Sequence, residues 1–261
     1  MLTTNYVPGA PVWADIGVPD VEAAAAFYGG VFGWEFQSAG PEGGGYGMFT
    51  LDGKTAAAVG PLTEPGASSA WTLYFHTFDA DATAKAVEQA GGAVRFAPFD
   101  VFKEGRMAGF TDPTGAQFAV WQPGDTKGLG VVSAPDTLCW TELYTTDPAA
   151  AKTFYQSVFG WNVQDVPMDG FTYTVVRPSG GADGTDQGGI MGLSDEMLGA
   201  GIKPRWQPYF EVSDCDATVA QAAERGATVA MQPEDVPGVG RLAQLVDPFG
   251  APFALITSVA A

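Results

Sequence analysis

The phrase FYGGVFGW stands at residues 27–34, and FYQSVFGW stands at 154–161. Six of the eight letters agree. Extended backwards, 14–34 against 141–161 gives nine identities in 21 positions at an offset of 127, with Asp20 falling on Asp147. A second echo closes each copy: DPTGAQFA at 112–119 matches DPFGAPFA at 247–254, now at an offset of 135. The chain therefore consists of two homologous halves. The eight extra residues (135 − 127) lie between Trp161 and Trp206, with SGGADGTDQGG (179–189) and LSDEMLGAG (193–201) as their expected homes. Polar insertions of this kind run over the surface.

Each half divides again. VWADIGV (12–18) alternates in the manner of a half-buried strand. PDVEAAAAFYGGVFG then reads as a helix, with Asp20 as its N-cap and Gly33 as its stop. In the second copy Asp147 caps a helix that opens on Pro148. Val21, Ala24, Phe27, Tyr28 and Val31 recur at helical spacing and are expected to face a sheet. WEFQ, YGMFTLD and KTAAAVG read as three short strands. The same order of strand, helix and three strands restarts near residues 70, 138 and 205. The expected fold is α+β, with two tandem domains at 1–124 and 138–261 joined by a linker at 125–137. Each is a pair of βαβββ modules forming an open cup with its helices outside.

Composition narrows the function. Lys and Arg number 12 against 30 Asp and Glu, a net charge of −18. Such a chain repels phosphate backbones, so no nucleic-acid partner is expected. The acidic balance favours solubility and, in a cavity, a cationic ligand. No apolar run reaches the roughly 18 residues of a membrane span, and MLTTNYVPGAPVW lacks the basic and apolar regions of a secretory leader. Cys139 and Cys215 are the only cysteines, too few for a disulfide framework or a zinc cluster, which fits the cytoplasm.

DIGVPDVEAAAAFYGGVFGW with DPTGAQFAVW, and their second copies, resemble the vicinal oxygen chelate superfamily of glyoxalases, bleomycin-resistance proteins and extradiol dioxygenases. The resemblance covers nearly the whole chain. It implies a divalent metal held on the open face of each cup by histidines and a carboxylate. Those positions fall on Trp13 and Trp140, on Thr72 and Gln207, and on Ala119 and Ala254. Tryptophan, threonine and alanine do not replace imidazole and carboxylate on a divalent ion. The expectation is therefore a site with no metal and no cofactor.

Alternation indicates what lines the cups instead. Val12, Ala14 and Ile16 suit the helix side, leaving Trp13, Asp15 and Gly17 inside. Trp140, Glu142 and Tyr144 are their second copies. From the next module come Thr72, Tyr74 and His76, matched by Gln207, Tyr209 and Glu211. Trp34, Trp161, Trp71 and Trp206 read as core, and both DPxG motifs as turns. Aromatic and carboxylate walls suit a flat or cationic small molecule. The first reading is a metal-independent binding protein that sequesters an aromatic or cationic metabolite or antibiotic. The second is a metal-free lyase, isomerase or hydrolase, with acid–base pairs Asp15/His76 and Glu142/Glu211. A third keeps an oxygen-ligand metal site at Glu142, Gln207 and Glu211, and a fourth fills both cups with side chains. Two halves in one chain allow a monomer that mimics the family's dimer; a homodimer is the alternative.

Overall fold

The computed structural model of the protein describes residues 1–63, 66–181 and 184–259. Part of the Gly-rich stretch expected to hold the insertion, Ala182 and Asp183, lies outside the described residues, as do the last two residues of the second half.

The fourfold module appears in order. The first half runs β1 (Pro11–Val18), α1 (Val21–Phe32), β2 (Glu35–Ser38), β3 (Gly47–Leu51), β4 (Lys54–Pro61), β5 (Ala70–His76), α2 (Ala80–Gln89), β6 (Ala93–Val101), β7 (Gly105–Thr111) and β8 (Gln117–Pro123). The second runs β9 (Thr137–Thr145), α3 (Pro148–Phe159), β10 (Asn162–Met168), β11 (Phe171–Arg177), β12 (Gly188–Gly192), α4 (Asp195–Gly199), β13 (Arg205–Glu211), α5 (Cys215–Glu224), β14 (Thr228–Val236), β15 (Gly240–Val246) and β16 (Pro252–Ser258). Each half makes one open eight-stranded sheet. The orders are β2-β3-β4-β1-β5-β8-β7-β6 and β10-β11-β12-β9-β13-β16-β15-β14. Helix α4 occupies the LSDEMLGAG stretch and has no counterpart among the described residues of 62–69.

The helix ends follow the local chemistry. Asp20 accepts from the Ala23 amide and Asp147 from that of Ala150, both at 3.0 Å. Gly33 (φ 70°) and Gly160 (φ 66°) close the two helices in the left-handed region, where a Cβ is unfavourable. Ala24, Phe27, Tyr28, Val31 and Phe32 are the buried face of α1, while Val21, at its first turn, is only half-buried.

The compact bodies of the molecule cut across the sequence halves. One comprises Met1–Trp13, Leu73–Gly128 and Trp140–Gln207, the other Ala14–Thr72, Leu129–Cys139 and Pro208–Ala261. In the first body, Tyr155 from the repeated phrase donates to Asp112 Oδ2 at 3.0 Å and accepts from Trp206 Nε1 at 2.8 Å. Its ring stacks on Trp161 with centroids 5.0 Å apart. In the second body, Tyr28 donates to Asp247 Oδ2 at 2.8 Å and accepts from Trp71 Nε1 at 3.2 Å. Both tyrosines are fully buried, and the two aspartates are 3% and 4% exposed.

Asp112 and Asp247 open the DPxG turns. Their Oδ1 atoms accept the amides of Ala116 and Ala251, as a turn aspartate should. Their Oδ2 atoms serve the tyrosine of the opposite half. The tryptophans that end the repeated phrase reach across in the same way. Trp161 Nε1 donates to the Gly9 carbonyl at 2.9 Å, and Trp34 Nε1 to the Asp136 carbonyl at 2.8 Å. Gly9 and Asp136 are themselves 127 residues apart, and both take positive φ (79° and 63°).

Removing either phenol leaves a buried carboxylate oxygen without its donor. Tyr28→Phe and Tyr155→Phe should each lower stability by about 1.5–3 kcal/mol, by similar amounts because the triads are copies. Asp112→Ala and Asp247→Ala should cost more, since the turn amides also lose their acceptor. Urea denaturation of the four variants measures this, and a loss below about 0.5 kcal/mol in both tyrosine variants would contradict it.

Candidate functional site

The carboxylates of the first strands are both engaged by tyrosines. Asp15 on β1 accepts from Tyr46 at 3.0 Å. Glu142 on β9 accepts from Tyr173 at 2.8 Å. Tyr46 and Tyr173 are 127 residues apart, so the acid–tyrosine pair is duplicated with the repeat. In each half a glycine makes room. A Cβ at Gly189, which pairs with Glu142 across the β9–β12 ladder, would collide with the Tyr173 phenol. A Cβ at Gly60 would stand 2.7 Å from the Tyr46 ring. Neither tyrosine was singled out by strand alternation; the offset of 127 was the signal that could have found them.

In the second half the pair extends into a chain. Trp140 Nε1 donates to the Tyr173 hydroxyl at 3.0 Å, and that hydroxyl donates to Glu142, which is only 5% exposed. Burying a carboxylate without partners is costly, and the phenol offsets part of that cost. Burial and the Glu142 charge together push the Tyr173 pKa well above its usual value, so the phenol keeps its proton. Tyr144, two residues along β9 and fully buried, carries the Arg205 guanidinium over its ring at 4.9 Å. Arg205 also donates from Nε (3.1 Å) and Nη2 (2.8 Å) to Gln207 Oε1. Gln207 is fully buried, and its Nε2 has no hydrogen-bond partner.

The first half is different. Tyr74, Ala119, Trp121 and Val12 form a buried apolar cluster, with Trp13, Tyr6, Val101 and Met107 packed against it. Val12 was expected on the helix side, away from Tyr74. It is a member of this cluster, while along β1 burial alternates, with Val12, Ala14, Ile16 and Val18 buried and Trp13, Asp15 and Gly17 half-buried. At the start of β1, His76 N bonds the Ala10 carbonyl while Gly9 N bonds the His76 carbonyl, which places two residues opposite one. Trp121, whose indole donates to the Thr126 carbonyl at 3.0 Å, is the bulky member that sequence reading missed.

The remaining expected site residues lie apart from the Trp140–Tyr173–Glu142 chain of bonds. The His76 ring is 5% exposed, lies edge-on to Phe78 at 5.1 Å, and has an unpartnered Nδ1. Thr72 is half-buried and Tyr209 buried, with the Tyr209 carbonyl accepting from Cys139 Sγ at 3.3 Å. Glu211 accepts from the Ser258 amide at 2.9 Å and hydroxyl at 2.6 Å. Burial, then the Glu211 charge, raise the Cys139 thiol well above its ordinary pKa. Glu142 is thus bonded by Tyr173 and Glu211 by Ser258.

The donor set does not fit a divalent ion. Of the six family positions only Thr72 and Gln207 offer an oxygen, a lone hydroxyl in one half and a neutral amide in the other, and the amide oxygen accepts from a guanidinium, which repels a cation. Among the described residues no group of three or more His, Cys, Asp and Glu is gathered closely enough to hold a metal. Among the same residues no helix is long and apolar enough to cross a membrane.

Two open eight-stranded sheets of paired βαβββ modules, with a substituted centre in each, define a scaffold class, and comparison with known proteins agrees. Residues 10–120 match the Glyoxalase/Bleomycin resistance protein/Dioxygenase superfamily, and residues 140–256 match a glyoxalase-like domain. The chain belongs to this superfamily. It is 42% identical to the anthracycline biosynthesis protein DnrV of Streptomyces peucetius, over 97% of this chain and 94% of that one. It is 38% identical, over 97% of this chain and 96% of the other, to CFP32 of Mycobacterium tuberculosis, whose name contains the word glyoxylase. Among solved structures, a Mn(II)-bound glyoxalase from Novosphingobium aromaticivorans superposes with TM-score 0.65 at 18% identity, over 97% of this chain and 83% of that one. That likeness is one of fold.

His76 is the only histidine, and burial holds its pKa below the ordinary 6.5. The unfolded chain therefore takes up its proton first as pH falls. Stability from this group is complete above about pH 6.5 and is lost as pH drops through the folded value. Burial raises the Asp136 and Asp247 carboxyls, and these have the opposite slope at lower pH. The difference between wild type and His76→Gln isolates the histidine: denaturation midpoints should fall from pH 7 to 6 more steeply in the wild type. Parallel curves would contradict this.

Proposed function

We propose that the protein binds a planar aromatic small molecule, without a metal ion, at the β9 face of the second half. The observation that carries this reading is the Trp140–Tyr173–Glu142 chain, a nearly buried carboxylate bonded to a half-buried phenol beside a half-buried indole. Such an arrangement offers a flat apolar surface for stacking and a polar group to fix orientation, the usual composition of a ligand site. The similarity to DnrV directs the choice of ligand class towards the anthracyclines. Metal independence is supported by the Arg205 guanidinium on Gln207 Oε1, which leaves the amide oxygen at the family's ligand position in the second half facing a fixed positive charge. The two free, buried cysteines fit a reducing cytoplasm. Both repeats in one chain fit a monomer.

The chemical alternative is acid–base catalysis by Glu142, and the 2.8 Å bond to Tyr173 favours it over the other carboxylates as the group able to exchange a proton in the site. Calorimetric titration with an anthracycline separates these readings when the recovered ligand is analysed by mass. The binding reading expects saturable binding with the ligand unaltered, and Trp140→Ala should weaken it about tenfold through lost stacking. A changed ligand mass, abolished by Glu142→Gln, would establish catalysis instead. No heat of binding, or unchanged affinity in Trp140→Ala, would overturn the site.

A further inference from the structure

We infer that Arg205 and Gln207 together form a receptor for an ionised oxygen of the ligand, so that the ligand class is a planar aromatic anion. This rests on the reading of the Trp140–Glu142 face as a small-molecule site.

The first observation is an unmet donor. Gln207 is fully buried, and its Oε1 accepts two bonds from Arg205, which fixes the amide orientation. Its Nε2 is then necessarily the donor end, and it has no partner. A buried amide donor left unpaired is unfavourable. An acceptor oxygen brought in by a ligand relieves that.

The second observation is the placement of the charge. Arg205 is half-buried and held against the Tyr144 ring, while Glu142 is two residues away on the same strand and bonded to Tyr173. Residues i and i+2 on one strand face are about 7 Å apart. A ligand lying along β9 therefore meets a hydrogen-bond acceptor at the Glu142 end and a cation with an amide donor at the other. A guanidinium recognises a carboxylate or phenolate through parallel N–H bonds, and these are stronger than bonds between neutral groups.

The third observation is that the pair belongs to one half only. Strands β5 and β13 align residue for residue at the offset of 135, which places Ala70 and Thr72 where the second half has Arg205 and Gln207. The first half has neither the cation nor the amide, and Tyr74, Trp121 and Val12 fill its own strands with apolar contacts. Duplication did not supply the receptor; the second half acquired it, or the first half lost it.

Naphthoate and naphthamide share a ring system and differ in charge, and both can be titrated calorimetrically into the full chain. Naphthoate should bind about tenfold more tightly than naphthamide. Arg205→Met should bring naphthoate affinity down to that of naphthamide, and a urea denaturation curve like that of the wild type shows separately that the variant is folded. In the wild type the preference should shrink as salt is raised, a measurement independent of any variant. Equal affinity for the two probes, a preference that survives Arg205→Met, or a preference insensitive to salt would overturn the receptor and leave the small-molecule site standing. Binding of neither probe would overturn both.

Discussion

The hydrogen bond from a buried tyrosine to the aspartate of a DPxG turn joins the two halves of the chain. Tyr28 reaches Asp247 across 219 positions of sequence, and Tyr155 reaches Asp112 across 43. Each phenol receives an indole N–H at the same time, so its oxygen has both a donor and an acceptor, and each aspartate divides its oxygens between the turn and the tyrosine. A buried carboxylate is tolerated because every bond is made. The aromatic layers around Tyr28 and Tyr155 pack on either side of these polar centres, and the repeated phrase supplies their stacking partners, Phe32 with Trp34 and Phe159 with Trp161.

The helices, their caps and the fourfold module were legible because each rests on local chemistry. Asp20, Asp147, Gly33 and Gly160 act within a few residues of where they stand. The exchange between halves was not legible, because it depends on contacts between distant segments that no periodicity encodes. FYxxVFGW and DPxG were both read correctly as helix and turn, yet nothing in either motif says that the tyrosine of one copy belongs to the aspartate of the other.

At the site, alternation identified Asp15 and Glu142 but not the phenols bound to them. Tyr46 lies just before β3 and Tyr173 within β11, strands that stand two ladders away from β1 and β9, a distance along the chain at which patterning carries no information. Gly60 was visible only as a small residue in a strand, and Gly189 was read as the end of a polar insertion although it belongs to β12; the collision that a Cβ would cause gives each a steric reason. Arg205 was overlooked because it lies at the first residue of its strand. It matters there because the sheet brings it to Tyr144 and Gln207. The two halves thus keep one skeleton and diverge on the inner strands, one towards apolar closure and the other towards a charged, hydrogen-bonding face.

The reciprocal indole bonds, Trp34 to Asp136 and Trp161 to Gly9, have an implication for ancestry. A single half contains its complete sheet ladder and the indole that donates to its tyrosine, but not the aspartate that accepts from that tyrosine or the carbonyl that accepts from its terminal tryptophan. An ancestor one repeat long could satisfy those groups only by clasping a second copy of itself. Joining two such genes end to end would then have converted a concentration-dependent pairing into a tethered one, freeing each copy to change without spoiling its mate. The unequal inner strands are the expected product of that freedom.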